Sequence, residues 1–215
     1  MVEINLDFDE GVPQYECNLC GKCSSLFAKS LCNVKNRGCC WYFPKFTLYE
    51  IHKMVKEEEG EEVLKRILKL PNVKVYNYYI HARGYFDKKD YDIAMAKDKL
   101  EEYKVHDKTI FFRECPLVQE GKGCKIPARY RSYICNLFIC DEVTKALKDN
   151  IEMKKYLDER QNYVRWIEWE NNSIQMYLEE KALDLQKNFD EVINILKEMP
   201  LERYEFPALK EIESQ

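Results

Sequence analysis

Cys17-Asn-Leu-Cys20-Gly-Lys-Cys23, then Cys32 and the adjacent pair Cys39-Cys40, make up the stretch around which the chain is organised. Six of the ten cysteines fall within these 24 residues. Three thiols at two-residue spacing can wrap one metal centre, because a loop of that length turns each sulfur inward and its own amides toward the sulfurs. Structural zinc sites usually draw on CxxC pairs, whereas CxxCxxC is more typical of a cubane iron–sulfur cluster whose fourth sulfur comes from elsewhere. The remaining cysteines, Cys115, Cys124, Cys135 and Cys140, follow about a hundred residues later. The expectation is that the two groups meet around a metal or iron–sulfur centre. Cys17, Cys20, Cys23, Cys115, Cys124 and Cys135 are the foremost candidate ligands, followed by Cys39 and Cys40, then Cys140 and Cys32. Ten cysteines allow two four-cysteine sites with two left over, or one site and several inert buried thiols.

Composition bounds the rest. The chain has 215 residues, is 46% hydrophobic and 33% charged, and has a net charge of −4. That length supports one domain with a real core, or a domain plus a helical extension. The charge balance gives no global pull toward nucleic acid or an anionic membrane; an unidentified protein or peptide partner is the expectation, on the family resemblance described below. The acidic start, Met1 to Glu10, does not read as a signal peptide, and no apolar run is long enough to span a bilayer. A cytoplasmic protein is expected. There thiols stay reduced, and ten cysteines point to metal or redox chemistry rather than a disulfide framework.

The pattern predicts a mainly α fold with a few short strands, its cysteine-rich loops packed against helices. Residues 1–16 read as an irregular lead-in. Thr47 and Glu50 form a capping box ahead of Leu48, Ile51 and Val55. Gly60 is expected to interrupt that helix, giving helices over 47–59 and 61–70. Residues 72–81 read as a strand, and Tyr91–Val105 and 128–139 as helices. Asp141 is expected to cap a helix over 142–149. A long helix from 151 to 170, restarting at Ser173, and another over 184–198 complete the chain, with a loosely ordered tail from Leu201. This suggests a cysteine-cluster domain over 1–140 and a helical extension over 141–215.

Four thiolates around a divalent ion or a [4Fe–4S]2+ core leave a net charge of about −2, which calls for nearby cations and hydrogen-bond donors. Lys22, Lys122, Lys125, Arg129 and Arg131 are interleaved with the cysteines. Lys125 and Arg131, together with His81 in the aromatic stretch Tyr78–Phe86, are the residues expected beside the bound group. His52 and His106 read as incidental. The fifteen tyrosines read mainly as core residues whose hydroxyls reach water. Trp166 and Trp169, three apart on one helix, are expected to pack against the cysteine-rich half.

Cys20-Gly-Lys-Cys23, Cys39-Cys40 ahead of Leu48-Tyr-Glu-Ile51, Cys115-Pro-Leu117, Gly123-Cys124-Lys-Ile126 and Arg131-x-x-x-Cys135-x-x-Phe138 together resemble the CxxCxxCC cysteine-cluster family. The likeness covers about residues 17–140. Members are described as zinc- or iron-chelating proteins, or as flagellin N-methylase-like proteins and iron–sulfur oxidoreductases. The chain departs from the pattern at Ser24, where the family has a second cysteine, at Ser132, where it has proline, and at Asn136, where it has arginine. A glycine-rich strand–turn–helix for S-adenosylmethionine is absent. The resemblance implies one or two iron–sulfur clusters, most readily [4Fe–4S], in a redox, electron-transfer or protein-modifying role. The alternative is a structural zinc module with a helical interaction surface.

Overall fold

Thr47 and Glu50 open the helix on which the rest of the molecule packs. The Thr47 hydroxyl accepts from Glu50 N (3.4 Å), and the Glu50 carboxylate accepts from Thr47 N (2.8 Å), which completes the capping box. Helix α1 (Leu48–Val55) buries Leu48, Ile51 and Met54 completely. The structure, a computed structural model, describes residues 4–17, 23, 25–210 and 212. Cys20 and Lys22 lie outside the described residues.

Helix α2 (Glu58–Leu68) follows after a break at Lys56–Glu57. Gly60 therefore does not interrupt a helix, as expected from sequence, but sits in the first turn of α2. A Cβ there would stand 2.2 Å from the Met54 carbonyl oxygen, so the glycine lets the two helices abut. Against α1 also lie α6 (Ile151–Glu180) and α7 (Phe189–Glu198). The main core joins Phe46, Leu48, Ile51 and Met54 to Ile167, Leu178, Val192 and Leu196, so residues from both halves of the chain share it. Each of these buried aliphatic side chains contributes about 1.5–3 kcal/mol.

The prediction of a mainly α fold is overturned. The protein is 44% helical and 15% strand, with seven helices and four small sheets among the described residues, a mixed α/β architecture. The supposed irregular lead-in is an antiparallel hairpin, β1 (Ile4–Asp9) and β2 (Val12–Cys17). Its two-residue turn, Glu10-Gly11, takes positive φ at both positions (49° and 81°), the geometry that suits the twist of a tight hairpin. Strands β3 (Lys45–Thr47), β4 (Val73–Tyr76) and β5 (Tyr79–Ala82) form a second sheet in the order β3-β5-β4. The strand expected over 72–81 is thus a hairpin that turns at Asn77-Tyr78. Strands β6 (Tyr85–Phe86) and β7 (Arg113–Glu114) pair, as do β8 (Val118–Gln119) and β9 (Gly123–Cys124).

The remaining helices also shift from expectation. Helix α3 (Lys88–Ala96) starts earlier, because the Asp87 carboxylate accepts from Asp90 N (3.1 Å) and caps it there. The helix expected over 128–139 is a 3-10 turn at Ala128–Tyr130 and then one short helix, α4 (Tyr133–Asn136). Helix α5 (Asp141–Ala146) has Cys140 rather than Asp141 at its N-cap. Helix α6 runs 30 residues without a restart at Ser173. Trp166 packs on Tyr49, but Trp169 is 64% exposed, so only one of the pair faces the interior. The tail is docked: Tyr204 and Phe206 lie against Tyr163, and Ile212 bridges to Ile4 in a smaller core with Val143, Met153 and Tyr156. Among the described residues no helix is long and apolar enough to cross a membrane.

His52 ties α1 to the end of α7. Its Nε2–H donates to the Met199 carbonyl (3.1 Å), and its Nδ1 is buried without a partner. Burial, chiefly, and the nearby Lys56 hold its pKa below the ordinary value. A histidine with a depressed folded pKa stabilises the fold above its unfolded pKa of about 6.5 and loses that contribution as pH falls toward the folded value. Denaturant titrations between about pH 5 and 8 should show stability falling below about pH 6.5, and His52→Gln should remove that part of the decline. Parallel pH profiles for the two proteins would refute the assignment.

Candidate functional site

Four cysteines that are distant in sequence converge beside α1. Cys40 closes the loop ahead of β3. Its carbonyl accepts from Cys115 N (3.0 Å), and its own N–H donates to the Arg37 carbonyl (3.1 Å). Cys115 follows β7 directly. Gly84 permits the close approach of β6 there, since a Cβ on it would stand 2.0 Å from the Glu114 carbonyl oxygen and 2.9 Å from Pro116. Cys124 ends β9 opposite Val118, and Lys125 N–H donates to the Leu117 carbonyl (2.8 Å) to close that small hairpin. Cys135 rides on α4, with its N–H on the Ser132 carbonyl (2.8 Å).

The thiols of Cys40, Cys115, Cys124 and Cys135 act on one another electrostatically. Burial pushes the Cys115 thiol up to about 12; Cys40 and Cys124 add to the rise, while the Leu117 amide and Lys125 oppose it. Burial, then Cys124, raises Cys40, with Arg131 and Arg37 opposing. Cys135 is raised well above the ordinary thiol value by burial first, then by Cys115, Cys124, Cys40 and Glu50. Its residue surface is nonetheless exposed. The sulfur is densely surrounded on the protein side while the residue opens to water, so this corner is the solvent-facing edge of the group. Among the described residues, no three Cys, His, Asp or Glu side chains stand close enough to hold a single metal ion.

Hydrogen bonds hold the surrounding shell. Glu50 is buried; its Oε1 accepts from Tyr133 N (2.6 Å) at the start of α4, and its Oε2 accepts from Thr47. Arg131 donates from Nε to the Ile126 carbonyl (2.9 Å) and from Nη1 to Gln14 Oε1 (3.0 Å). Gln14 donates to Asn136 Oδ1 (2.6 Å), and Asn136 donates to the Ala128 carbonyl (2.7 Å). This chain of polar groups fixes β2 to the turn that carries Cys135. Buried donors are left over nearby: Arg37 Nε, Trp41 Nε1 and Ser132 Oγ have no hydrogen-bond partner. Sulfur of a bound thiolate is a suitable acceptor for such groups, so the donor set and its surroundings fit a thiophilic metal centre in chemistry.

The structure brings Cys40, Cys115, Cys124 and Cys135 together, with Lys125 and Arg131 beside them. Other candidates lie elsewhere. Cys17, at the end of β2, and Cys140 both pack against the smaller core. The Cys23 sulfur accepts from Ser25 N (3.4 Å). Cys32 is buried, 3.1 Å from Ser30 Oγ, with its thiol donating weakly to the Arg113 carbonyl (3.8 Å). Cys39 lies near Arg37. His81, on β5, hydrogen-bonds the Phe43 backbone and has Lys45 and Arg83 as charged neighbours. Sequence reasoning missed Arg37 and treated Glu50 only as a helix cap. No spacing rule links either to the thiols, although an acidic N3 residue buried as deeply as the core was a signal available once the helix face was drawn. Comparison of the chain with protein-family models, with curated proteins and with solved structures gave no match.

Glu50→Ala removes half of the capping box and leaves the Tyr133 amide without its acceptor. The expected cost is about 1–3 kcal/mol in denaturant unfolding, together with faster alkylation of Cys135 read residue by residue in a mass spectrometer. Unchanged stability and an unchanged Cys135 rate would mean that another contact holds the turn.

Proposed function

We propose that the chain is a cytoplasmic metalloprotein that holds an iron–sulfur cluster on Cys40, Cys115, Cys124 and Cys135 and works in redox or electron transfer with a protein partner. The observation that carries the reading is the convergence of these four thiols from two distant stretches of the chain, with Cys124 acting on Cys40, Cys40 and Cys124 acting on Cys115, and all three acting on Cys135. Cys40, Cys115, Cys124 and Cys135 also lie in the segments that carry the likeness to the CxxCxxCC cysteine-cluster family, so membership of that family belongs to the same proposal. A reducing compartment keeps such thiols available.

When bound, the cluster would supply one-electron chemistry. The chain's own residues supply the rest. Arg131, Arg37 and Lys125 put positive charge beside the sulfurs, the backbone around Leu117 offers an amide to Cys115, and the exposed edge at Cys135 gives a partner access.

Protein prepared without oxygen should be brown, with a broad absorption band near about 400 nm and acid-labile sulfide in proportion to iron. Cys115→Ala and Cys124→Ala should each abolish or strongly reduce that band, whereas Cys32→Ala should leave it. A colourless protein carrying stoichiometric zinc would replace this reading with a structural zinc module. A band that survives both substitutions would move the centre to other cysteines.

A further inference from the structure

Trp169 and Met176 are, with Ile151, the most exposed large apolar side chains among the described residues, at 64% and 62%, and all three lie on α6. One side of that helix is buried through Ile167, Ile174 and Leu178. Trp169 stands two positions beyond Ile167, and Met176 two beyond Ile174 and two before Leu178. Two residues turn a helix by about 200°, so both side chains point away from the core. Single exposed apolar side chains are ordinary on a surface. What sets these two apart is what stands in line with them. Residues three, four and seven apart share a helix face. Arg165, Trp169, Asn172, Ser173, Met176 and Glu180 therefore form one outward stripe, and all of them are exposed.

The stripe is symmetric in a specific sense. Trp169 lies three residues before Asn172, and Met176 lies three after Ser173. Arg165 lies seven before Asn172, and Glu180 seven after Ser173. A second α6 laid antiparallel on the first, about a two-fold axis between Asn172 and Ser173, sets Trp169 of each chain against Met176 of the other. It also sets Arg165 of each against Glu180 of the other. That is the self-complementarity an isologous interface requires, with every contact made twice. A thioether against an aromatic ring is a favourable contact. The charge pairs at the two ends of the overlap select this register. A parallel pairing would set Arg165 on Arg165 and Glu180 on Glu180.

Neither charge is used inside the chain. Among the described residues Arg165 and Glu180 make no ion pair. Elsewhere on the same helix Lys155 pairs with Glu152 (3.0 Å), and Glu179 accepts from Gln175 (2.8 Å). The centre of the stripe is low. Ser173 is small, and its hydroxyl donates back to the Trp169 carbonyl (3.0 Å), so a facing helix would not strand that donor.

We infer that this face of α6, from Arg165 to Glu180, is where the protein pairs with a second copy of itself, antiparallel and centred on Asn172-Ser173. The overlap is about 24 Å of helix. That is small beside the roughly 1,600 Å² of a standard interface, so the pairing takes the form of a reversible monomer–dimer equilibrium. It is independent of what the thiols bind.

Sedimentation velocity of the full-length protein tests this, in reductant so that no intermolecular disulfide contributes. The average mass should rise with concentration toward twice that of the monomer. Trp169→Asp, at a position exposed enough to leave the fold intact, should weaken association by about 30-fold or more. Arg165→Glu and Glu180→Arg should each weaken it by about 3–10-fold. The double variant Arg165→Glu/Glu180→Arg should regain the wild-type affinity. An equimolar mixture of the two single variants should regain it as well, because each chain then supplies the charge that the other lacks. Charges acting only within one chain could not produce recovery in the mixture. A wild type that stays monomeric at high micromolar concentration overturns the pairing, including the case in which this face serves a different protein. Association that Trp169→Asp leaves unchanged places the dimer elsewhere and overturns it too. Loss in Trp169→Asp without recovery in the double variant or the mixture rules out the antiparallel register and the proposal with it.

Discussion

The Glu50 carboxylate is the constraint on which the site depends. One oxygen accepts from Thr47 and fixes where α1 begins, and the other accepts from Tyr133 N and fixes where α4 begins. These two helix starts lie more than eighty residues apart in sequence. A carboxylate can satisfy both because an ionised group accepts several hydrogen bonds at once. Burial raises its pKa, and the hydrogen bonds from Thr47 and Tyr133, together with Lys53, oppose that rise. Removing any one of them therefore weakens the case for keeping a charge there. Since α1 also packs against α2, α6 and α7, the same residue aligns the thiol-bearing turn with the main core.

Charge around the thiols is uneven. Glu50 faces Cys135 and makes a negative sulfur there less favourable, whereas Arg37 and Arg131 face Cys40 and favour one. Arg37 is buried and Arg131 half-buried, while Glu50, itself buried, lies beside the thiol whose residue opens to water. A negatively charged centre would draw its compensation from within the protein at Cys40 and from water at Cys135.

The sequence made some of this legible and left the rest hidden, for reasons that can be named. The capping box at Thr47 and Glu50 was readable because it depends on two residues three apart and on nothing else. Helices α6 and α7 were readable from period, but not their bounds: α6 runs on to Glu180 past the end expected at 170, and α7 begins at Phe189 rather than at 184. The hairpin β1–β2 was missed although β1 alternates apolar and polar residues from Ile4 to Asp9, because β2 carries Pro13 and does not alternate and because the turn at Glu10-Gly11 puts a non-glycine residue at positive φ. The cysteine-rich segments were harder. CxxCxxC is a local pattern and drew attention to Cys17, Cys20 and Cys23. The four thiols that converge are set by pairings across long stretches of chain, such as Cys115 N to the Cys40 carbonyl, which no local spacing encodes. Arg37 was invisible for the same reason: its meaning comes from burial, not from its neighbours in sequence.

The segment from Arg113 to Asn136 is built in a way that bears on what the thiols are for. Its regular structure amounts to three two-residue strands, a single 3-10 turn and one four-residue helix. None of these is stable alone. The segment is instead tied at intervals to other parts of the molecule. Cys115 N–H donates to the Cys40 carbonyl (3.0 Å), Gly121 N–H to the Asn36 carbonyl (2.9 Å), Arg129 N–H to the Asp9 carboxylate (3.0 Å), and Tyr133 N–H to the Glu50 carboxylate (2.6 Å). Between these ties the chain buries few large apolar groups, apart from Leu117, Val118, Ile126 and Tyr130. The cysteines fall between or at the ties, where the backbone has the least support of its own. A segment assembled in this way gains more from a cross-link than a helix or a broad sheet would, because each fixed sulfur removes freedom that no hydrogen-bond ladder has already removed. The same loops that made the region hard to read from sequence are thus the ones in which a metal centre would add the most to the fold.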